Sequence, residues 1–101
     1  MAKQPPISKR IKELRTKADL SQKRLGILAG IDEFSASARM NQYEKGKHIP
    51  DFSTIKRFAK VLKVPTCYFY AENDEMAEMI LVFGSLSASL RAKTLLKLKT
   101  S

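Results

Sequence analysis

The chain has 101 residues, 44% hydrophobic and 29% charged, with a net charge of +9: the balance of one basic globular domain. Four Gly and four Pro exclude a collagen-like or low-complexity chain, and no apolar run approaches the roughly 18 residues of a membrane span. One cysteine, Cys67, excludes an internal disulfide and a structural zinc site, and residues 1–6 lead into no apolar signal core, so a cytoplasmic setting is expected.

Ile7, Ile11, Leu14 and Ala18 share one helical face and predict a first helix over 7–18, started by Pro5-Pro6, with Lys9, Arg10, Lys12 and Lys17 outside the stripe. Ser21 is a good N-cap for a second helix ending near Ala29, whose buried face is Leu25, Leu28 and Ala29. Gly30 closes it in the left-handed conformation. Residues 31–35 read as a loop, and a third helix runs from about Ser35 or Ser37 to Lys45, with Ala36, Met40 and Tyr43 inward and Gly46 as its stop. Asp51 caps a fourth helix with Phe52, Ile55, Phe58, Ala59 and Leu62 on its apolar face, ended by Val64-Pro65. Thr66–Ala71 is a short helix carrying Tyr68, Phe69 and Tyr70, which are read as packing residues, and Cys67, read as core.

Beyond this five-helix unit, Asn73 or Asp74 caps a helix through Phe83 with the stripe Met76, Met79, Ile80 and Phe83, broken by Gly84. Ser87 caps a last helix carrying Leu90, Leu95 and Leu98, with Lys93, Lys97 and Lys99 toward its C-terminus. No segment reads as a strand. The charge is unevenly placed: residues 1–65 hold fifteen cations and six anions, and residues 66–101 hold four of each. A basic module beside a neutral one points to a polyanion partner for the first and another task for the second.

An ordered series of pieces carries the most information. Leu14-Arg15, Leu20-Ser21-Gln22, Leu25, Leu28-Ala29-Gly30, Met40 to Lys47 and Pro50 are followed by Ile55, Phe58-Ala59 and Leu62-Lys63-Val64. The series resembles the helix-turn-helix regulators of the phage Cro and lambda-repressor type (the XRE type), over about residues 8–72. That resemblance implies a third helix in the DNA major groove and a second across the backbone. It implies that Ser37, Ala38 and Gln42 face bases, that Gln22, Lys45 and Lys47 contact phosphates, and that Arg15 and Glu44 form a structural pair joining helices one and three.

The residues themselves agree with it. Ser37, Ala38, Arg39, Asn41 and Gln42 make a face of short or amide side chains where an ordinary solvated helix carries Glu and Lys. Gln pairs with adenine through its amide, and Arg takes guanine through its fork. Lys23 and Arg24 sit in the first turn of helix two, where the helix dipole disfavours cations, and a docked phosphate accounts for them. One departure stands out: Ile31-Asp32-Glu33-Phe34-Ser35 lengthens the path beyond the usual tight turn of about 3–4 residues. It is either a longer loop or an N-terminal extension of helix three.

His48 has no ligand-spaced partners, and no phosphate loop, catalytic triad or carboxylate pair occurs, so neither an enzyme nor a cofactor is expected. The sequence therefore predicts an all-α protein: a lambda-repressor-like five-helix DNA-binding domain over 1–71, with one or two extra helices over 72–101. The expected function is a regulator, foremost a repressor, that reads double-stranded DNA as a homodimer joined through Met76, Met79, Ile80, Phe83 and Leu90. Two alternatives are an antitoxin whose C-terminal helices bind a toxin or effector protein, and a nucleic-acid-associated adaptor.

Overall fold

Side-chain oxygens set the starts of five of the six α-helices. The computed structural model describes residues 6–101, with α1 at Ile7–Lys17, α2 at Gln22–Leu28, α3 at Glu33–Glu44, α4 at Phe52–Leu62, a 3-10 helix at Thr66–Tyr70, α5 at Asp74–Ser85 and α6 at Ala88–Lys99. Ser21, Asp32, Asp51, Asn73 and Ser87 each accept a hydrogen bond from a backbone N–H of the first turn, satisfying donors that have no partner within the helix. Pro6 precedes α1 without a side-chain cap, and Pro5 lies outside the described residues. No strand occurs among the described residues.

Residues from every element except α6 build the core. Phe58, Phe69, Ile11, Leu25, Met40 and Ile55 are the largest fully buried side chains, and each contributes roughly 1.5–3 kcal/mol relative to exposure. Ala71 and Ala77 join the same cluster, with Ile80 and Leu81 packed partly against it, so the start of α5 shares the core of the preceding helices. α6 contributes no residue to this core. The radius of gyration is 15.1 Å, against about 13 Å for a compact chain of this length. No helix among the described residues is long and apolar enough to cross a membrane.

Several expectations are corrected. The third helix starts at Glu33, not Ser35 or Ser37, because Asp32 accepts from the Phe34 N–H at 3.1 Å. The extra residues therefore lengthen α3, and the turn itself, residues 29–32, stays tight. Arg10 is inside, at 2% exposure: it falls between Ile7 and Leu14 on the apolar face of α1. Phe52 is 60% exposed with Lys56 Nζ 5.9 Å from its ring centroid, and Leu28 and Cys67 are exposed as well.

Gly84 does not end α5, which continues to Ser85. A Cβ there would stand 2.7 Å from Pro65 Cγ, so this glycine lets the helix backbone cross close to Pro65. The single stripe expected on α5 divides between two sides. Ala77, Ile80 and Leu81 turn to the core, whereas Met76, Met79 and Val82 are exposed and Phe83 is half-buried.

Candidate nucleic-acid interface

Helix α3 presents two unlike faces because Ala36, Met40 and Tyr43, at helical spacing, are all buried. The opposite side carries Ser37, Ala38, Arg39 and Gln42, all exposed, with Asn41 half-buried at its edge. In the first turn, Phe34 is 94% exposed. Lys23 in α2 and Lys45 and Lys47 after α3 are exposed too.

Three devices hold α3 in place. The first is Gly26 in α2, buried against α3: a Cβ there would meet Ala36 Cβ and Met40 Cγ, each at 3.0 Å. Its missing side chain lets α2 and α3 approach closely, a role that a glycine inside a helix signals by its helix-propensity penalty of about 1 kcal/mol. The sequence reading passed over it.

The second device is a bidentate ion pair. Arg15 Nε donates to Glu44 Oε2 at 2.6 Å and Nη2 to Oε1 at 3.0 Å, while Nη1 donates to the Leu20 carbonyl at 2.8 Å. The Glu44 side chain is 4% exposed and that of Arg15 16%. The hydrogen bond to Glu44, opposed by burial and assisted by its charge, holds the Arg15 pKa above the ordinary guanidinium value. Gln22 Nε2 also donates to Glu44 Oε1 at 3.2 Å, and lies 3.5 Å from Asn41 Oδ1. Gln22 is thus half-buried and tied to α3 through its amide nitrogen.

The third device closes α3. Gly46 adopts φ +74°, its N–H donates to the Tyr43 carbonyl at 3.2 Å, and the Lys47 N–H donates to the Gln42 carbonyl at 3.0 Å. This is a Schellman ending, which needs the left-handed conformation glycine takes freely. Ser8 Oγ of α1 adds a bond to the Tyr43 carbonyl at 2.7 Å. Lys45 and Lys47 therefore leave a fixed turn.

Beyond that turn, Arg39, Gln42, His48, Ile49, Asp51 and Thr54 line an open cleft of about 420 Å³. Asp51 is held below the usual carboxylate range by hydrogen bonds from the Thr54 side chain and backbone and from Ser53. The carboxylate thus caps α4 and stays charged at the edge of the cleft.

The chain separates the remaining candidates from this surface. Met76, Met79 and Leu90 are exposed on α5 and α6, Phe83 is half-buried, and Ile80 packs partly on the core. Around α3, exposed amide, hydroxyl and guanidinium groups stand on a helix flanked by cations, groups that can hydrogen-bond a ligand and attract a polyanion.

Among solved structures, the chain is similar to the transcriptional regulator BswR, with 45% sequence identity, a TM-score of 0.86 and 93% of each chain covered. Comparison with protein-family models and with curated proteins finds no match.

Proposed function

The chain belongs to the family of the transcriptional regulator BswR, and on that premise we propose that it is a sequence-specific repressor of the lambda-repressor-like type that reads an operator as a homodimer. The observation that carries the reading is the exposed face of α3, with Ser37, Ala38, Arg39 and Gln42 opposite the buried Ala36, Met40 and Tyr43. A helix of this width fits the major groove, where Gln42 would pair with adenine and Arg39 with guanine. Asn41 reads from the edge of the same face. Lys23, Lys45 and Lys47 take backbone phosphates and set register, with no base information of their own. Gln22 acts chiefly by fixing α2 on α3, through its contacts to Glu44 and Asn41.

One recognition helix covers only a few base pairs. Two copies joined through the outward faces of α5 and α6 would set two such helices about 34–36 Å apart, over an inverted repeat. Occupancy of such a site excludes other proteins from it, which is the route to repression.

The test is selection of bound duplexes from a random pool by the full chain, followed by binding titrations. Gln42→Ala should weaken the selected duplex by about 1–3 kcal/mol and relax preference at one position. Lys47→Ala should weaken selected and random duplexes alike and lower the salt dependence by about one counterion. Equal loss on both duplexes for Gln42→Ala would remove Gln42 as a base reader, and a pool without enrichment would leave the adaptor reading in its place.

A further inference from the structure

We propose that Phe34 reads sequence, its ring taking the 5-methyl group of a thymine in the major groove. This inference rests on the DNA-reading assigned to α3 above. Phe34 stands 94% exposed in the first turn of α3, the most exposed of the large apolar side chains among the described residues. Asp32 fixes its backbone there by accepting from its N–H at 3.1 Å. Ser37, Ala38, Asn41 and Gln42 follow Phe34 at three, four, seven and eight residues, so the ring continues the same helical stripe by one turn. Ala36, which is buried, lies two residues on and about 200° around the helix, so no core position is open to Phe34 without rotating α3.

The chemistry of the groove selects the occupant. Base edges there present donors and acceptors, and the thymine methyl is the one apolar group among them. A phenyl ring over a bare donor or acceptor would strip it of water without pairing it, whereas over the methyl it buries apolar surface on both sides. Exposed cations on α2, on α3 and just after it, Lys23, Arg39, Lys45 and Lys47, favour a polyanion here. They also disfavour a second copy of the chain docking there, since it would bring the same cations.

The experiment uses the full chain and the duplex it selects from a random pool. Each thymine of a half-site is replaced in turn by deoxyuridine, which lacks only the methyl. At one position the parent should lose roughly three- to five-fold in affinity, the worth of one buried methyl-sized group. Phe34→Ala should lose a similar factor on the thymine duplex, melt like the parent, and be indifferent to deoxyuridine at that position. Indifference of the parent to deoxyuridine at every thymine overturns the inference, as does parental affinity in Phe34→Ala. A changed sedimentation coefficient in Phe34→Ala also overturns it, placing the ring in a protein contact. In these three cases selection of the duplex and the Gln42→Ala effect would stand, whereas a pool without enrichment removes the DNA-reading and this inference together.

Discussion

Arg10 Nη2 donates to the Ala71 carbonyl at 2.8 Å while Nη1 donates to Asp74 Oδ1 at 2.9 Å, so one buried side chain of α1 ties down the entry to α5. The guanidinium also lies 5.4 Å from the centroid of the Tyr68 ring, which adds a cation–π attraction. Arg10→Met keeps most of the buried volume and removes every donor, leaving the Ala71 carbonyl unpaired. The expected loss is about 1.5–3 kcal/mol, read as a lower urea midpoint. An unchanged midpoint would show that α5 is held by apolar packing alone.

Asp74 gives the same junction a pH dependence. Hydrogen bonds from Lys9 first, then Arg10, hold its carboxyl below the ordinary carboxylate value. The charged form is favoured in the folded chain, so the stabilisation is complete above the unfolded value near 3.9 and is lost as pH falls through the lower folded value. Asp74→Asn should therefore be less stable than the parent at neutral pH, with the gap closing below about pH 4. Urea unfolding at several pH values checks this, and a gap independent of pH would assign the effect to packing.

The Arg15–Glu44 pair should matter more than a surface ion pair. Glu44→Ala leaves Arg15 and Gln22 without their acceptor in a largely closed site. A cost of about 2–4 kcal/mol is expected, between the 0–1 of exposed pairs and the 3–5 of fully buried ones. Glu44→Gln, which retains an acceptor, should cost less. Thermal melts of both variants decide it, and equal melting of all three proteins would make the pair irrelevant to stability.

Gly84→Ala tests the crossing of α5 over Pro65. Helix propensity alone would make alanine stabilising by about 1 kcal/mol. The added methyl would stand 2.7 Å from Pro65 Cγ, so something must shift, and overpacking of this kind costs about 1–3 kcal/mol. The expected net result is a lower melting temperature, and a higher one would show that α5 can move outward freely.

The exposed apolar side of α5 and α6 should hold two copies together. Met79 is 46% exposed and Val82 56%, so aspartate at both positions disturbs little inside the fold. Sedimentation at micromolar concentration should show a dimeric parent and a folded monomeric double variant that keeps weak, non-specific DNA binding. A parent that is monomeric both free and on DNA would give these helices to a different protein, as the antitoxin reading requires.

Helix starts were legible in the sequence because a cap is local. Ser21, Asp51 and Ser87 each bond an N–H three residues on, and no distant residue is needed. The inward face of α3 was equally plain, since Ala36, Met40 and Tyr43 keep helical spacing whatever packs against them. The same spacing also placed Arg10 between Ile7 and Leu14, and charge outweighed geometry in assigning it to solvent. Its burial depends on the Ala71 carbonyl, Asp74 and the Tyr68 ring, which chain folding brings to it from more than fifty residues away.

Positions such as Gly84, Phe52 and Cys67 went the other way for a related reason. Periodicity names a face, but whether that face meets Pro65, solvent or the core is settled by where the neighbouring helices lie. Local chemistry thus decides where each helix begins and which side is apolar. Only packing between distant segments decides which apolar residues find cover and which buried polar group finds its partners, because those free energies exist only once the segments meet.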